Sequence, residues 1–556
     1  MPDPHVQRAP MSNIRALLRH PHFAKWASVL LVGVCSVIWL GTTLCTADAR
    51  LAALQTVEPY TFATHEQLLF NFLRYGHFFQ TVHVGYTDEW TWSGHRAFTL
   101  PVVAWIYGLH PSPFWLWRIQ IVAVLLGVIP AMVIGRRALG SAWGLALGGS
   151  IYLATPTVMI MALQDYQDMV FALPFLMCTF ACMMHRRAWV VVVGAVVAVL
   201  AREECVPLLL LIAIVVLPQK DPETLRRPWS LWVRNVLIAF VIAGLYTCFH
   251  LAFPVGQGGR NVPAGTLWSL MGEGEVGIPM EGFLYLQDFY PLMMVPLGWF
   301  AWLSPLTLLP GLGVLFAHMT MPSDFGVNRN WAGHVHHLAP AVTFLVVASI
   351  QGTATLLRVG DRLRSRRAGR WFVGLMGIAL ATFTLIQTGA WAREHKVILA
   401  LLPRAPTWTH PVWELAAQLP ADATPIASRS VVVALSSRSV AYTYDGSLGE
   451  REPRLGLGAG THLIADTRDR ALMVRVQGMP GATTVAQAEP FVLITWPEGA
   501  IDPSASTWAA WNLRKTLKWV GPYRSIRDVP GLPPHIARKR MPQDGSLPVL
   551  QLPWAR

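Results

Sequence analysis

Long apolar runs recur along this chain, and short segments rich in arginine separate them. An apolar α-helix of about 20 residues is long enough to cross a bilayer, and runs of that length lie near 26–44, 141–162 and 338–357. Only 13% of the residues are charged, whereas an ordinary soluble domain holds about 25%. The sequence therefore predicts a polytopic α-helical membrane protein.

The number of apolar segments predicts about eleven spans. The segments lie near 26–44, 113–137, 141–162, 168–184, 188–201, 205–217, 234–253, 286–302, 304–320, 338–357 and 371–391. Two of them, 188–201 and 205–217, are short and are separated by Arg202-Glu203-Glu204, which favours a tilted hairpin with a charged external tip. The apolar stretch 97–113 is broken by His110 to Pro113, which is typical of an interfacial or re-entrant helix.

The positions of the basic residues predict the orientation of the spans. Residues 1–25 carry Arg8, Arg15, Arg19 and Lys25, and the stretch 358–370 holds six arginines and one acid. Because cytoplasmic loops of membrane proteins are enriched in Lys and Arg, residues 1–25 are expected inside, with a multi-span domain over 26–391 and a large external loop at 48–113. The net charge of +13 therefore points to membrane lipid as a partner and not to nucleic acid.

After residue 391 the chain becomes polar and rich in proline. Short alternating apolar stretches at 425–434, 438–444, 461–466 and 490–495 predict strands, and Pro411 to Leu419 is expected to be helical. Residues 392–556 are therefore predicted to form a small C-terminal extracytoplasmic α/β domain. The whole chain is expected in a bacterial cytoplasmic (inner) membrane as a multi-pass protein.

The predicted topology places most of the candidate catalytic side chains on the external side. The first loop supplies His65, Glu66 and His95, and the later loops supply Asp165, Arg202, Glu203, Glu204, Arg260, His336 and His337. Convergent titratable groups at a membrane surface are expected of an enzyme that uses a lipid-linked substrate. The alternative for each is a solvated loop side chain, and for Glu203-Glu204 it is a structural ion pair with Arg202.

No cofactor site is apparent in the motifs. The run Gly333-His334-Val335-His336-His337 has the composition of a metal site, but no HExxH or comparable ligand spacing surrounds it. No metal site is therefore assigned, and a divalent metal is left open. The absence of Walker A, GxSxG and GxGxxG elements in a usable context argues against nucleotide-driven transport by this chain.

The order of the external motifs resembles a prokaryotic membrane-protein family, domain of unknown function 2079. The element His65 to Asn71 is similar to the family's F-D-Q-x-x-W-N and matches its carboxylate with Glu66. Further elements follow in family order: Gly76 to Phe79, Gly94-His95, Pro111 to Pro113, Gln164 to Gln167, Arg202 to Glu204 and Val335 to Pro340. The chain departs from the pattern near Thr61 and at Gly94, where the family has aspartates, and at Gln167, where it has histidine.

That family in turn resembles the GT-C glycosyltransferases, multi-spanning enzymes that use polyprenyl-phosphate-linked sugars. The resemblance implies that Glu66 is a general base for an acceptor hydroxyl, with Asp165, Glu203 and Glu204 as further candidate catalytic carboxylates. It also implies that Arg202, Arg260 or His336 stabilises the departing lipid phosphate. His95 and His337 are further candidates for substrate binding, and the external domain would help to bind the acceptor.

The sequence thus predicts a GT-C-like sugar transferase with a polyprenyl-phosphate-linked sugar as its partner. One alternative is a non-catalytic transporter, flippase or assembly partner for envelope lipids or polysaccharide, and another is a receptor-like protein that binds through its C-terminal domain. Crowding of ionisable residues at the outer boundary, instead of at mid-bilayer, favours the transferase. The sugar, the acceptor and the oligomeric state are not specified by the sequence.

Overall fold

The structure is a computed structural model in which helices predominate. It describes residues 21–56, 59–76, 78, 82, 98–202, 204–216, 228–252, 298–319, 338–363, 409–420, 423, 425–428, 430–438, 441–444, 462–478 and 481–496. The expected spans at 371–391 and over most of 286–302 lie outside these residues.

Thirteen α-helices are described before residue 364. They are α1 Pro21–Ala52, α2 Pro59–Tyr75, α3 Thr99–Tyr107, α4 Pro113–Leu126, α5 Val128–Leu139, α6 Trp143–Ala154, α7 Pro156–Leu163, α8 Ala172–Met183, α9 Ala188–Ala201, α10 Cys205–Val215, α11 Pro228–Ala252, α12 Pro305–Met319 and α13 Ala339–Leu363. Short 3-10 turns, Asp168–Phe171 and Gly298–Leu303, precede α8 and α12.

Four helical segments among the described residues are long and apolar enough to cross a membrane. They are His22–Ala52, Pro113–Leu139, Ser230–Phe249 and Ala339–Gly360. The pair α6 and α7 is bent by 54° at the break before Pro156, and it adds a fifth if it counts as one span. Asp168–Met183, Ala188–Ala201, Cys205–Val215 and Pro305–Leu315 are shorter apolar helices. The chain is therefore a mostly helical membrane protein, and the total of about eleven spans stays a prediction.

The sequence-predicted helix breaker at His110 to Pro113 separates α3 from the span that follows. The Ser112 hydroxyl accepts a hydrogen bond from the Trp115 backbone N–H at 3.2 Å, and Pro113 occupies the first helical turn. Ser at the N-cap and Pro at the first position are both favourable, because the amide of that position has no partner within the helix. This local sequence fixes where the span Pro113–Leu139 begins.

Close glycine packing joins α5 to α6. An added Cβ at Gly148 would lie 2.0 Å from the Ala131 backbone oxygen, and one at Gly135 would lie 2.2 Å from the Gly144 oxygen. Gly144 and Gly148 stand four residues apart, as do Ala131 and Gly135. Small residues at this spacing let two helix backbones approach, which is a common way of packing helices in a bilayer.

Helix α13 is the central helix of the bundle. It packs against α5, α6, α8, α12 and the turn Gly298–Leu303, and its residues Val342, Phe344 and Val347 are fully buried. Helix α1 instead carries an exposed apolar face that includes Leu30, Val37 and Ile38. An exposed stripe of this kind suits contact with lipid chains, because the bilayer interior is as apolar as the side chains.

A five-stranded mixed sheet follows the bundle in sequence. Its elements are helix α14 Val412–Ala417, β1 Pro425–Ser428, a 3-10 turn Val432–Leu435, β2 Tyr442–Tyr444, β3 His462–Asp466, helix α15 Arg470–Gln477, β4 Thr483–Ala488 and β5 Phe491–Thr495. The strand order is β2-β1-β3-β5-β4, in which β1 pairs parallel with β2 and β3, and β5 pairs antiparallel with β3 and β4.

All four predicted apolar stretches contain a strand. The stretches 438–444, 461–466 and 490–495 contain β2, β3 and β5. The stretch 425–434 is strand only to Ser428, and the turn Val432–Leu435 takes its second half. Strand β4 has no apolar alternation because it lies at the sheet edge with mostly exposed side chains. The extracytoplasmic position of this unit stays a prediction.

The sheet unit is attached to the end of α1. The His410 backbone N–H and the Trp413 indole N–H both donate to the Ala52 carbonyl, at 2.7 and 3.1 Å. The Trp413 ring also packs against Phe114 at the start of α4, with 5.5 Å between ring centroids. The last carbonyls of a helix lack partners within the helix, and here the C-terminal unit satisfies one of them.

Replacement of Gly148 by alanine should separate α5 from α6. The added methyl meets the Ala131 carbonyl, a backbone atom that cannot rotate away, so we expect a loss of about 1–3 kcal/mol in unfolding free energy, as for an overpacked core. Gly41→Ala in α1 is the matched control, because nothing lies within 4 Å of its added Cβ. Thermal unfolding of both variants in lipid nanodiscs measures the difference, and equal stability of the two would contradict this packing.

Candidate functional site

Helix α2 buries three consecutive polar residues, His65, Glu66 and Gln67, each with no exposed surface. Neighbouring residues on an α-helix point about 100° apart, so three in a row are buried only where the helix is enclosed on several sides. Helix α2 is not among the segments long and apolar enough to span a membrane. The partners of its polar groups must therefore come from other parts of the protein.

Both carboxylate oxygens of Glu66 accept hydrogen bonds from hydroxyl groups. Tyr107 at the end of α3 donates to Oε1 at 2.8 Å, and Ser437 donates to the same oxygen at 2.6 Å. The Ser436 hydroxyl contacts Oε2. Ser436 and Ser437 follow the turn Val432–Leu435 in the C-terminal unit, so the carboxylate joins two parts of the chain that are about 370 residues apart.

Burial raises the pKa of Glu66 to about 7, and the three hydroxyl hydrogen bonds oppose that rise by stabilising the ionised form. A carboxyl group with this pKa exchanges a proton close to neutral pH. The pKa of Tyr107 is raised by burial and by the neighbouring Glu66 carboxylate, so the phenol remains a hydrogen-bond donor. The arrangement has the titration range that general acid–base chemistry needs.

The side chains of His65 and Gln67 connect α2 to two further segments. The His65 Nδ1–H donates to the Thr61 carbonyl at 2.8 Å, and its ring packs edge-on against Tyr166 with 5.4 Å between centroids. The Gln67 amide donates to the Arg438 carbonyl at 3.1 Å and accepts from the Val82 N–H at 3.2 Å. Helix α2 thus lies between the loop that contains Tyr166 and the C-terminal unit.

The end of α7 and the loop 164–167 that follows it are held along their backbone by three long side chains. Arg50 donates to the Leu163 carbonyl at 2.8 Å, and the Trp117 indole donates to the Ala162 carbonyl at 3.1 Å. The Gln120 amide donates to the carbonyls of Met161 and Gln164 and accepts from the Gln167 N–H. A buried loop needs such partners for its backbone groups. Trp117 is 1% exposed, so its ring lies inside the protein and not at a lipid-facing surface.

Asp165 lies in this clamped loop and is 1% exposed. It is within Coulombic range of the Arg50 guanidinium, which also lies over the Trp117 ring at 5.5 Å from its centroid. A buried carboxylate is stable when a positive charge compensates it. The loop therefore presents Asp165 beside a buried arginine of α1.

Arg202 forms a buried ion pair with Asp168. Its Nη1 lies 3.0 Å from Asp168 Oδ1, and both side chains are at most 4% exposed. Its Nε lies 2.9 Å from the Glu204 carboxylate, which is 30% exposed. The predicted charged external tip between α9 and α10 is therefore packed inside the protein at Arg202. The ion pair between Glu204 and Arg202, given above as the alternative to catalysis, is thus present, and a catalytic role for Glu204 stays a prediction.

The structure links five of the sequence-predicted candidates through one region: His65, Glu66, Asp165, Arg202 and Glu204. The His65 ring packs against Tyr166 of the loop 164–167, and Asp168 in the turn after that loop pairs with Arg202 of the α9–α10 connection. Arg50 near the end of α1 binds the Leu163 carbonyl just before the loop. We call this region the polar junction, and it consists of His65, Glu66, Tyr107, Asp165, Asp168, Arg202, Glu204, Ser436 and Ser437. Five other candidates lie outside the described residues: His95, Glu203, Arg260, His336 and His337.

Several junction residues carry no sequence signal for their role. Tyr107 closes an apolar helix, and Ser436 and Ser437 follow an apolar turn in another domain, so no pattern near them indicates a carboxylate partner. Asp168 stands three residues after Asp165, and no motif around it distinguishes it from other loop acids. Within the described part of the chain, no group of three His, Cys, Asp or Glu side chains is arranged to hold a metal ion.

The stability of the protein should depend on pH through Glu66. Because its pKa rises from 4.5 to about 7 on folding, the folded state keeps a proton that the unfolded chain releases in this interval. The free energy of unfolding should therefore fall by about 3 kcal/mol as the pH rises from about 4.5 to 7. Glu66→Gln should remove that slope in unfolding measurements at several pH values, and an unchanged slope would show that Glu66 is not its source.

The Asp168–Arg202 pair gives a second stability test. Arg202→Gln leaves a buried carboxylate without its cation, so the unfolding free energy should fall by about 3 kcal/mol. Adding Asp168→Asn to that variant should restore most of the loss, because the buried charge is then absent. A double-mutant cycle by thermal unfolding in nanodiscs measures the coupling, and additive effects would mean that the two residues do not interact.

Two solved structures resemble this chain. Both are crystal structures of ArnT from Cupriavidus metallidurans: the apo state, at 14% identity and a TM-score of 0.47, and the state bound to undecaprenyl phosphate, at 15% identity and 0.49. Each match covers 86% of this chain and 99% of that chain. No curated protein matched the chain. The model of the family described as "Predicted membrane protein (DUF2079)" matches residues 50–452. The chain therefore belongs to the DUF2079 family.

Proposed function

We propose that this protein is a GT-C-type membrane glycosyltransferase. It transfers a sugar from a polyprenyl-phosphate donor, such as an undecaprenyl-phosphate-linked sugar, to an envelope acceptor. The observation that carries the proposal is Glu66 of the polar junction, a fully buried carboxyl group whose pKa is raised to about 7 and which accepts hydroxyl hydrogen bonds from two sequence-distant parts of the chain. Buried groups with perturbed pKa values are characteristic of functional sites.

In the proposed reaction, Glu66 acts as the general base. It accepts the proton of an acceptor hydroxyl while that oxygen bonds to the anomeric carbon of the sugar. The bond between the anomeric carbon and the phosphate oxygen breaks, and its electron pair leaves with the lipid phosphate. The contacts of Glu66 support this role, because it already accepts hydroxyl hydrogen bonds of the kind that an acceptor hydroxyl makes to a base.

The remaining site residues are proposed to serve the donor. Arg202 is proposed to stabilise the developing phosphate charge, together with Arg260 and His336, and His95 and His337 are proposed to contact the substrate. For Arg202 this requires that a phosphate oxygen replace the Asp168 or Glu204 carboxylate that now pairs with it. Asp165, Glu203 and Glu204 are proposed as further catalytic carboxylates, with Asp165 held in a clamped loop.

The proposal includes an orientation in the membrane. Residues 1–25 lie in the cytoplasm, the chain crosses the bacterial cytoplasmic membrane about eleven times, and the C-terminal domain is extracytoplasmic. The polar junction then lies at the outer face, since α1 reaches it at its C-terminal end and the C-terminal unit binds there. Lipid-linked donor and envelope acceptor both meet the protein on that side.

A non-catalytic transporter, flippase or assembly partner is the second candidate. It is favoured by the burial of Glu66, because a carboxylate with no exposed surface and three hydroxyl partners also suits a purely structural contact between domains. The two functions make opposite predictions for the transfer reaction.

The transferase proposal is tested by Glu66→Gln. We expect the variant to lose at least about 100-fold in transfer rate, the usual contribution of a general base, because the amide cannot take up the acceptor proton. Radiolabelled glucose, mannose and arabinose linked to undecaprenyl phosphate serve as donors in nanodiscs, with envelope extract and water as acceptors. Glu414→Gln, an exposed glutamate of α14, is the matched control.

Wild-type protein that transfers no sugar from any of these donors would contradict the transferase function. Full activity of correctly folded Glu66→Gln would leave a transferase whose base is a different residue. Asp165→Asn, assayed alongside, then shows whether the other buried carboxylate supplies it.

A further inference from the structure

The segment Ser436–Arg438 of the C-terminal unit contacts α2 at three consecutive positions. Ser436 and Ser437 bind the two oxygens of Glu66, and the Arg438 carbonyl accepts a hydrogen bond from Gln67. The chain thus places two hydroxyl groups on the carboxylate that is proposed as the base. These partners come from a different domain, so the reaction centre is composite.

The segment Ser436–Arg438 is held in place by contacts within the C-terminal unit. The Arg438 guanidinium donates to the carbonyls of Ala416 and Leu419 at the end of α14, at 3.3 and 3.0 Å. The turn Val432–Leu435 that precedes the serines is largely buried and packs against α2 and α14. Since the last carbonyls of a helix need external donors, Arg438 ties the position of the serines to the body of the domain.

Ser436 can serve Glu66 in either protonation state. Its Oγ lies against Glu66 Oε2 and also 2.7 Å from the Val433 carbonyl. A hydroxyl has one proton to donate and two lone pairs that accept. When Glu66 is ionised, Ser436 donates to it. When Glu66 is protonated, its O–H donates to Ser436, which in turn donates to Val433.

We propose that Ser436 and Ser437 are positioning residues of the transferase centre, which hold the Glu66 carboxylate in one orientation before and after it takes the acceptor proton. This inference rests on the proposed function. It assigns the C-terminal domain a part in the reaction itself, in addition to any contact with the acceptor.

The groups around Glu66 determine how its pKa responds to the loss of the serine hydroxyls. The titratable group that faces it from α3 is Tyr107. From its own helix, His65 is directed towards Tyr166, and from the C-terminal unit the Arg438 guanidinium is directed to the end of α14. Hydrogen bonds to an ionised carboxylate lower its pKa, so removing the serine hydroxyls should raise the pKa of Glu66.

The test is the pH profile of sugar transfer in Ser436→Ala/Ser437→Ala. A general base must be ionised, so the rate falls as the pH drops through its pKa, and a higher pKa moves this acid limb upwards. We expect a shift of about one pH unit. The rate should fall about tenfold below pH 7 and approach that of the wild type near pH 9.

Three further variants separate positioning from folding. Ser430→Ala removes an exposed hydroxyl of the same domain that bonds to Ser428 and not to Glu66, and it should leave the profile unchanged. Ser436→Thr keeps the hydroxyl and should restore the wild-type profile. Ser437→Ala alone should give a smaller shift, since the Ser436 hydroxyl, whose hydrogen bond lowers the pKa of Glu66 more, is still present.

The ionisation of Glu66 can also be measured without transfer, by infrared difference titration of its carboxyl band with Glu66→Gln as the reference. A raised midpoint in the double variant, matching the shift of the acid limb, supports the inference. If wild-type protein transfers sugar and Glu66→Gln does not, but the double variant shifts neither the limb nor the midpoint, only the inference is overturned. Absence of transfer by the wild type overturns the proposed function and this role with it.

Discussion

The buried polar residues of α2 need hydrogen-bond partners from several other segments, and this need determines how those segments pack. His65, Glu66 and Gln67 have no exposed surface, and a buried polar group without partners costs several kcal/mol. The partners come from α3, from the loop 164–167 and from the segment Ser436–Arg438. Because each of these segments must contact α2 at the same place, this short helix determines how the bundle packs against the C-terminal sheet.

Charge balance organises the other half of the polar junction. Two buried arginines, Arg50 and Arg202, stand opposite the buried acids Asp165 and Asp168. The Arg50 guanidinium donates hydrogen bonds to backbone carbonyls, whereas the Arg202 guanidinium binds carboxylates. The first arginine therefore holds a loop in shape, and the second carries a charge that an anionic ligand can compete for. This difference favours Arg202 over Arg50 as a phosphate contact in the proposed reaction.

Much of the fold was predictable because membrane helices have a strong local signal. The helix Ala188–Ala201 and the break before Pro113 were placed from apolar runs and from proline alone. Glu66, Asp165, Arg202 and Glu204 are predictable from the expected topology together with the family resemblance. Ser436, Ser437 and Tyr107 show no such signal, because contacts between residues 41 to 371 positions apart leave no periodic pattern. The edge strand Thr483–Ala488 was missed for a related reason, since exposed strands lack apolar alternation.

The distance in sequence between Glu66 and its serine partners has a consequence for biogenesis. Helix α2 leaves the ribosome about 370 residues before Ser436 and Ser437, at a synthesis rate of about 5–20 residues per second. During that interval Glu66 can bind Tyr107 within the bundle but lacks the two serine hydroxyls. The contact between α2 and the C-terminal unit can therefore form only after the chain has been made as far as Ser437, late in the synthesis of the protein.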